Sequence, residues 1–427
     1  MLGKKATRSS NDDRAYLQRL KQRARELYEE DAFATEEDIE RALGLEEIST
    51  TLAEDRRKRR KRTLVYVAMC LVLVVLSLPI PFTPDFFNEM RIYSPGEVLD
   101  AYGLFFQMNV LPLFDSTQAN QADAARAAFN EVHDGSLYWQ VTMRFALTLL
   151  TIGCAWLLSA SGMLFQTTFR NPLAAPSMLG VSDGVTLGYI IFLTLGYTSM
   201  PDNPPLFFVC AYGFGMVMAV FVLFSSRFIA GSKTYNVMDM LLIGTVVSQI
   251  VGGIVTFVIN YGFDYSTWLN YYDLLQSVDT AEEPLTYALV AAVILITALP
   301  VVGLRFRMNA LVLPDGEAHM LGVNPTALRW VALACGGLMQ LAALTSLGQV
   351  AMVSLAVPFL ARYLFPADFR SQLVGNVLIS VPLLLICQLV CHFVVVNFQP
   401  LNVGTLVAVI IMPVFVWMMA LQRKGWS

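Results

Sequence analysis

Charge is scarce over most of this 427-residue sequence. Residues 1–62 hold 16 Lys/Arg and 14 Asp/Glu, while everything after residue 62 shares only 32 charges. With 56% of the chain hydrophobic, so few ionisable groups cannot furnish a water-facing surface, and a soluble globular fold is excluded. Cysteines in polar loops are also lacking. Cys70, Cys154, Cys210, Cys335, Cys387 and Cys391 all lie in apolar runs, which excludes an external disulfide framework. Cys387 and Cys391 share a helix face as small packing residues. His133, His319 and His392 are far apart and show no metal-ligand spacing, so no metal centre and no cofactor is expected. A nucleotide pocket is missing as well. Gly231-Ser232-Lys233-Thr234 is the nearest approach to G-x-x-x-x-G-K-[ST], but both glycines of that motif are absent. If ATP drives this protein, another chain must bind it. No basic start followed at once by an apolar core is present, so no cleavable signal is expected and the first apolar stretch is kept as a span.

What is there is a series of apolar runs of spanning length, at about 63–82, 141–163, 178–199, 205–226, 238–260, 284–304, 328–347, 349–364, 374–396 and 403–421. The expected fold is an all-α integral membrane protein of about ten transmembrane helices. A charged helical extension (1–62) precedes the membrane domain (63–421), and a short tail (422–427) follows it. Gly348 and Pro358 punctuate 328–364, so part of that stretch is expected to be a broken helix. Asp12 to Glu30 is rich in helix formers, and Thr35-Glu36-Glu37-Asp38 fits a capping box, with Gly44 as a helix end. The run Arg56-Arg57-Lys58-Arg59-Arg60-Lys61-Arg62 invites a nucleic-acid reading. Its place directly before an apolar span favours a cytoplasmic anchor against anionic lipid instead, with no nucleic acid involved.

Ten spans starting inside put both termini in the cytoplasm, and loop charges agree. The inner segments hold Arg170, Arg227, Lys233, Arg305, Arg307, Arg370, Arg423 and Lys424, whereas the outer ones hold chiefly Arg91 and Arg126 among many acids. The first outer loop, 83–140, is long, with an Ala-rich stretch from Ala119 to Val132 that suits a surface helix. It reads equally well as a contact for an external partner and as a solvated excursion. Asp183 and Asp239 fall near cytoplasmic span ends rather than at mid-depth, which counts against an ion-coupled carrier. In the fifth run Gly244, Ser248 and Gly252 recur every four residues, with Thr245, Gln249 and Thr256 beside them. Two readings stand, a packing seam and a face lining a substrate path.

Four segments carry a resemblance. Ser161-Gly162-Met163-Leu164-Phe165-Gln166 leads into Arg170-Asn171-Pro172-Leu173-Ala174-Ala175-Pro176 and Leu179-Gly180-Val181-Ser182. Leu313 to Val323 reads LPDGEAHMLGV, Gly348 to Arg362 is followed by Asp368-Phe369-Arg370, and Asn402 to Thr405 precedes Met412-Pro413. In order and spacing across about 141–421 these resemble the FecCD-type permeases, importers of ferric siderophores, haem and cobalamin. Gly162, Gln166, Asn171, Pro172, Pro176 and Gly180 match that family's most specific block.

The resemblance implies a type II ABC importer permease fold in a bacterial plasma membrane. It further implies a second permease subunit, two ABC ATPase subunits and an extracytoplasmic substrate-binding lipoprotein. Within 305–327 it assigns Leu313, Asp315, Gly316, Glu317, Leu321 and Gly322 to a segment that seats on an ATPase. Thr245, Ser248, Gln249, Gly252 and Thr405 are expected along the path. The family's arginine-rich outer start of the second span aligns with Arg144-Phe145-Ala146-Leu147, so one arginine and a proline are missing. Arg144, then Arg91 and Arg126, are the candidates to receive the binding protein. Other departures are Pro358-Phe359 for Pro-His, Asp368-Phe369-Arg370 for Asp-His-Arg, the N-terminal extension and the long first loop. The expected function is import of a ferric chelate, with haem or cobalamin as the alternative cargo. A secondary carrier and a non-transporting scaffold or sensor are the alternatives of other classes.

Overall fold

A computed structural model describes residues 45–77, 94–109, 135–199, 202–230, 237–276, 284–348, 350, 352–366, 368–393, 395–396, 399–400 and 403–424. The expectations for Asp12 to Glu30, Thr35 to Asp38, Gly44, Arg91 and Ala119 to Val132 lie outside the described residues. Apolar runs become helices because hydrocarbon offers backbone groups no partner except their own chain. The helices are α1 (Leu45–Ser77), α2 (Pro95–Asn109), α3 (Gly135–Thr168), α4 (Val181–Thr194), α5 (Pro204–Ala230), α6 (Val237–Tyr261) and α7 (Tyr265–Gln276). They continue as α8 (Pro284–Gly303), α9 (Asp315–Met320), α10 (Pro325–Leu347), α11 (Met352–Leu364), α12 (Phe369–Phe393) and α13 (Val403–Lys424). Strands β1 (Val395–Val396) and β2 (Gln399–Pro400) form a small antiparallel link before α13.

Each of the ten apolar runs carries one helix. Six are long and apolar enough to cross a bilayer: Met143–Thr168, Pro204–Ser225, Leu242–Tyr261, Leu285–Gly303, Pro325–Leu347 and Phe369–Cys391. Four more, Thr63–Ser77, Val181–Thr194, Met352–Leu364 and Val403–Trp417, are shorter. The broken helix expected near Gly348 is present. Helix α10 stops at Leu347, and Gly348 adopts φ 78° and ψ −160°, which only glycine enters without strain. The chain resumes as α11 at Met352. Two other features refine the domain expectations. Helix α1 runs unbroken from Leu45 through the basic stretch into the first span, so residue 62 marks a change of charge rather than a break in the helix. The long connection between the first two apolar runs contains α2, whose Tyr102 ring meets Phe145 of α3 edge-on at 5.6 Å.

Helix α3 is the hub. With α8, α10, α11, α12 and α13 it buries one core, including Leu157, Leu158, Met339, Phe359, Leu384 and Leu385. Helices α4 to α7 build a second, in which the Tyr189 ring stacks on Phe207 at 5.2 Å. Helix α10 joins the two, giving Met339 to one and Leu341 to the other. Polar groups inside the first core pair across helices: Ser161 with Gln340 at 3.1 Å and Thr151 with Gln388 at 3.1 Å. Such bonds contribute about 0.6 kcal/mol each in a membrane core and fix which helix faces which.

Close crossings depend on glycine. Pro358 offers no N–H to the Ser354 carbonyl one turn before it, and Gly162 of α3 packs directly onto that carbonyl. A Cβ on Gly162 would sit 1.6 Å from the Ser354 oxygen, so the two helices must separate if it is replaced. Gly162→Ala is therefore expected to lower stability by roughly 1–3 kcal/mol. Gly213→Ala in α5, where a Cβ meets nothing within 4 Å, should hold or raise the melting temperature, because alanine is the better helix former. Thermal unfolding in detergent checks the pair, and equal melting temperatures would refute the close-packing assignment.

Candidate functional site

The candidate site lies at the bundle end where α3 finishes and the segment between α8 and α10 folds over. Helix α3 closes with a Schellman motif: the Asn171 N–H bonds the Gln166 carbonyl at 3.2 Å, and the Arg170 N–H the Thr167 carbonyl at 3.4 Å. The residue in the left-handed position of this motif is normally glycine. Here it is Arg170, φ 52°, the one non-glycine residue with positive φ among the described residues. That conformation costs roughly 1–2 kcal/mol for a side chain with a Cβ. Strain of this kind persists only where the surroundings enforce it.

The surroundings are the segment 305–329. A 3-10 helix, Arg307–Val312, precedes the one-and-a-half-turn α9. The Arg170 guanidinium donates to the Leu311 carbonyl at 2.8 Å, to the Leu313 carbonyl, and to the Asp315 carboxylate at 2.9 Å. Arg329, one turn into α10, donates to the same carboxylate at 3.0 Å. Asp315 is thus held between two arginines from two different spans. Arg329's hydrogen bond is the largest cause pulling its carboxyl below the ordinary 3.8; burial opposes and Arg170 assists. Asn309 ties the 3-10 helix to α12: its amide donates to Asp368 at 2.9 Å and its oxygen accepts the Phe369 N–H at 2.9 Å. Arg370 pairs with Asp368 at 3.3 Å and stacks its guanidinium 4.7 Å from the Phe306 ring centre.

Helix α9 ends in a second Schellman motif, with Val323 bonding the Ala318 carbonyl at 3.2 Å and Gly322 bonding His319 at 2.9 Å. Gly322 supplies the left-handed residue at φ 74°. Beyond it Asn324 caps α10 by accepting from the Ala327 N–H at 3.2 Å, with Pro325 in the first turn. Between these anchors Met320 (89% exposed) and Leu321 (64%) are exposed, and Val312 (63%) is exposed ahead of α9. Gly316 and Glu317 are exposed beside them, and Leu313 and Asp315 are half-buried.

The motif residues ahead of this end are structural. Gln166 is buried and donates to the Leu355 carbonyl at 2.9 Å. Asn171 turns the chain by accepting the Leu173 N–H at 2.9 Å, with Pro172 inside that turn. Pro176 opens the 3-10 turn Pro176–Leu179, and Gly180, φ 68°, passes it into α4. The stripe on α6 divides. Gly244 packs onto the Met178 carbonyl, and the Ser248 hydroxyl donates to Asp183 of α4. Gly252 is half-buried with open space beside its Cα, and Thr245 and Gln249 are exposed, as is Thr405 on α13. Part of the stripe is therefore a seam, and its flank is uncovered.

The outer-face candidates fare differently. Arg144 is 2% exposed and donates from Nε to the Ser77 carbonyl at 3.1 Å. α1 and α2 lie beside it, through the Ser77 carbonyl and Tyr102, so in this chain its guanidinium is directed inward. Arg126, like Arg91, lies outside the described residues. The sequence reading had no role for Arg329, although a lone charge in the first turn of an apolar span was the available signal. It also missed Asn309, and nothing in the sequence marked that residue as a tie.

A model of the FecCD transport family matches residues 104–421. The chain belongs to that family. Among curated relatives, the Fe(3+) dicitrate transport system permease protein FecC of Escherichia coli is 28% identical over 316 residues, 73% of this chain and 92% of that protein. An iron chelatin transport system permease protein of Helicobacter pylori is 27% identical over 287 residues, covering 66% and 82%. The vitamin B12 import system permease protein BtuC of Escherichia coli is 27% identical over 295 residues, covering 68% and 86%. A solved metal-chelate type ABC transporter in an inward-facing conformation shares the fold at TM-score 0.60 and 19% identity, over 85% of this chain and 99% of that one.

The clamp makes a checkable statement about motion. Because Asp315's carboxyl titrates below its unfolded value, the clamp is complete above about pH 4 and is lost as pH falls through the lowered value. Arg170→Gly removes both the strain and the side-chain anchors, so hydrogen exchange at amides 311–322 should quicken by about tenfold at pH 7. Unchanged exchange there would show that the clamp does not hold the segment.

Proposed function

We propose that this FecCD-family chain is the membrane-spanning permease subunit of an ATP-driven importer for a ferric chelate in a bacterial plasma membrane, with both termini cytoplasmic. The observation that carries the reading is the clamped segment 305–329. It presents the adjacent Met320 and Leu321 as an exposed apolar knob, held by polar ties to three spans. A short polar connection gains nothing by exposing two large apolar side chains side by side, whereas a surface that seats in a partner's groove does. The partner is one of two ABC ATPase subunits, bound through Leu313, Asp315, Gly316, Glu317, Leu321 and Gly322.

Transport is by alternating access. Nucleotide closure of the ATPases displaces the knob, and the clamp carries that displacement into α3 and α10. A second permease subunit completes the path, which uses the uncovered flank of α6 (Thr245, Gln249, Gly252), Ser248 at the edge of the seam beside it, and Thr405 of α13. An extracytoplasmic binding protein delivers cargo, and with Arg144 buried its receiving charges fall to Arg91 and Arg126. Relatives named for iron chelates support ferric-chelate cargo; the relative named for vitamin B12 supports cobalamin as the second choice. Haem is the third.

Reconstitution with and without the ATPases tests this. Labelled ferric chelate should enter proteoliposomes only when the ATPases and ATP are present, and cobalamin uptake instead would move the chain to the second cargo. Uptake by this chain alone would overturn the importer reading. Within the complete assembly, Glu317→Lys should cut uptake on the order of tenfold while ATP hydrolysis continues. Normal uptake by that variant would remove the segment from the coupling route.

A further inference from the structure

Behind the clamp lies an open-sided cavity of about 280 Å³, lined by the ends of α3, α11 and α12 and by the 3-10 helix Arg307–Val312. Its polar lining is Gln166, Thr167, Arg170, Asn309, Arg362 and Gln372, so two guanidinium groups face it and no carboxylate does. Most of these groups are already committed. Arg170 serves Leu311, Leu313 and Asp315; Thr167 bonds the Met163 carbonyl; Gln372 donates to the carbonyls of Phe365 and Pro366; Asn309 ties to Asp368 and Phe369.

Two capacities remain. Arg362 has no ion pair or hydrogen bond among the described residues, although it lines the cavity. Gln166 is 1% exposed, its amide nitrogen bonds Leu355, and its Oε1 has no partner. An acceptor left unsatisfied in the interior destabilises the fold unless something donates to it. The vacant capacities are therefore opposite in kind: a cation that wants anionic oxygens, and an acceptor that wants a hydroxyl.

We propose that this cavity binds a phosphate ester bearing a hydroxyl group, with the phosphate oxygens on Arg362 and the hydroxyl donating to Gln166 Oε1. A guanidinium fork matches phosphate geometry, and the cavity is lined by residues at the ends of apolar helices, the depth at which anionic headgroups lie. Arg362 and its neighbour Tyr363 (45% exposed) close α11 as the cation and aromatic that favour that depth. The same chemistry is offered by the glycerol headgroup of an anionic phospholipid and by a soluble glycerol phosphate. In either form the ligand touches α3 through Gln166 and the coupling segment through Asn309, and so stiffens the joint between them. The site is independent of which cargo is carried.

The test uses the full permease assembled with its ATPases, in nanodiscs of phosphatidylglycerol or of phosphatidylcholine, with glycerol 3-phosphate in solution as a separate arm. Native mass spectrometry should find phosphatidylglycerol retained by the wild type in preference to phosphatidylcholine. Arg362→Gln should weaken retention on the order of tenfold, the effect of losing one charge-assisted contact, and Arg362→Lys should recover part of it. Thr167→Leu, which fills the cavity without removing a charge, should displace the lipid too, and it guards against a folding defect in Arg362→Gln. Protection by glycerol 3-phosphate with no lipid preference would identify the soluble ester as the source. No preference for either probe in the wild type, or retention by Arg362→Gln and Thr167→Leu equal to that of the wild type, would overturn the site.

Discussion

The structure turns on one carboxylate held by two arginines. Asp315 receives Arg170 from the end of α3 and Arg329 from the start of α10, so the short α9 is fastened to both spans at once. Each pair is partly exposed and contributes on the order of 0.2–1 kcal/mol by itself. The importance of the clamp is positional. Without it, the segment 305–329 would be an ordinary connection between α8 and α10, and a push on Met320 would bend the loop instead of moving the helices. Arg170 occupies a strained left-handed backbone because its side chain is needed at that corner, where glycine would close the helix more easily.

Rigidity at the clamp is transmitted because α3 cannot yield alone. Gly162 places its backbone directly on the Ser354 carbonyl of α11, and Ser161 and Thr151 bond across to α10 and α12. Helix α10 contributes to both apolar cores, so a displacement reaching α3 and α10 reaches the second core around α4 and α5. Helix α6 is the exception. Gly244 and Ser248 attach one stripe of it, while Thr245 and Gln249 remain uncovered, which leaves a face for whatever lies opposite.

Much of this was legible in the residues. Ten apolar runs gave ten helices because hydrocarbon leaves the backbone no alternative. Gly348 gave the break because its φ and ψ suit no other residue, and Gly322 gave the end of α9 for a similar reason. What sequence could not supply was pairing across distance. Arg144 read as an outer charge, yet it lies buried beside α1 and α2, and the chain carries no local mark of that contact. Arg329 read as one polar residue in an apolar span, because its partner lies fourteen residues away on an element whose direction depends on a Schellman turn. The orphan oxygen of Gln166 and the unpaired fork of Arg362 come together only once α3, α11 and α12 have been packed.

The central claim is that α9 moves as one body with the end of α3. Spin labels at Met320→Cys and Leu173→Cys, both on exposed sites, report that relation directly in the complex with its ATPases. The account predicts that the distance between the two labels stays constant when ATP is added and hydrolysis is blocked, while the distance between the Met320→Cys labels of paired permeases changes. A change between positions 320 and 173 within one chain, with the rest of the bundle still, would contradict it.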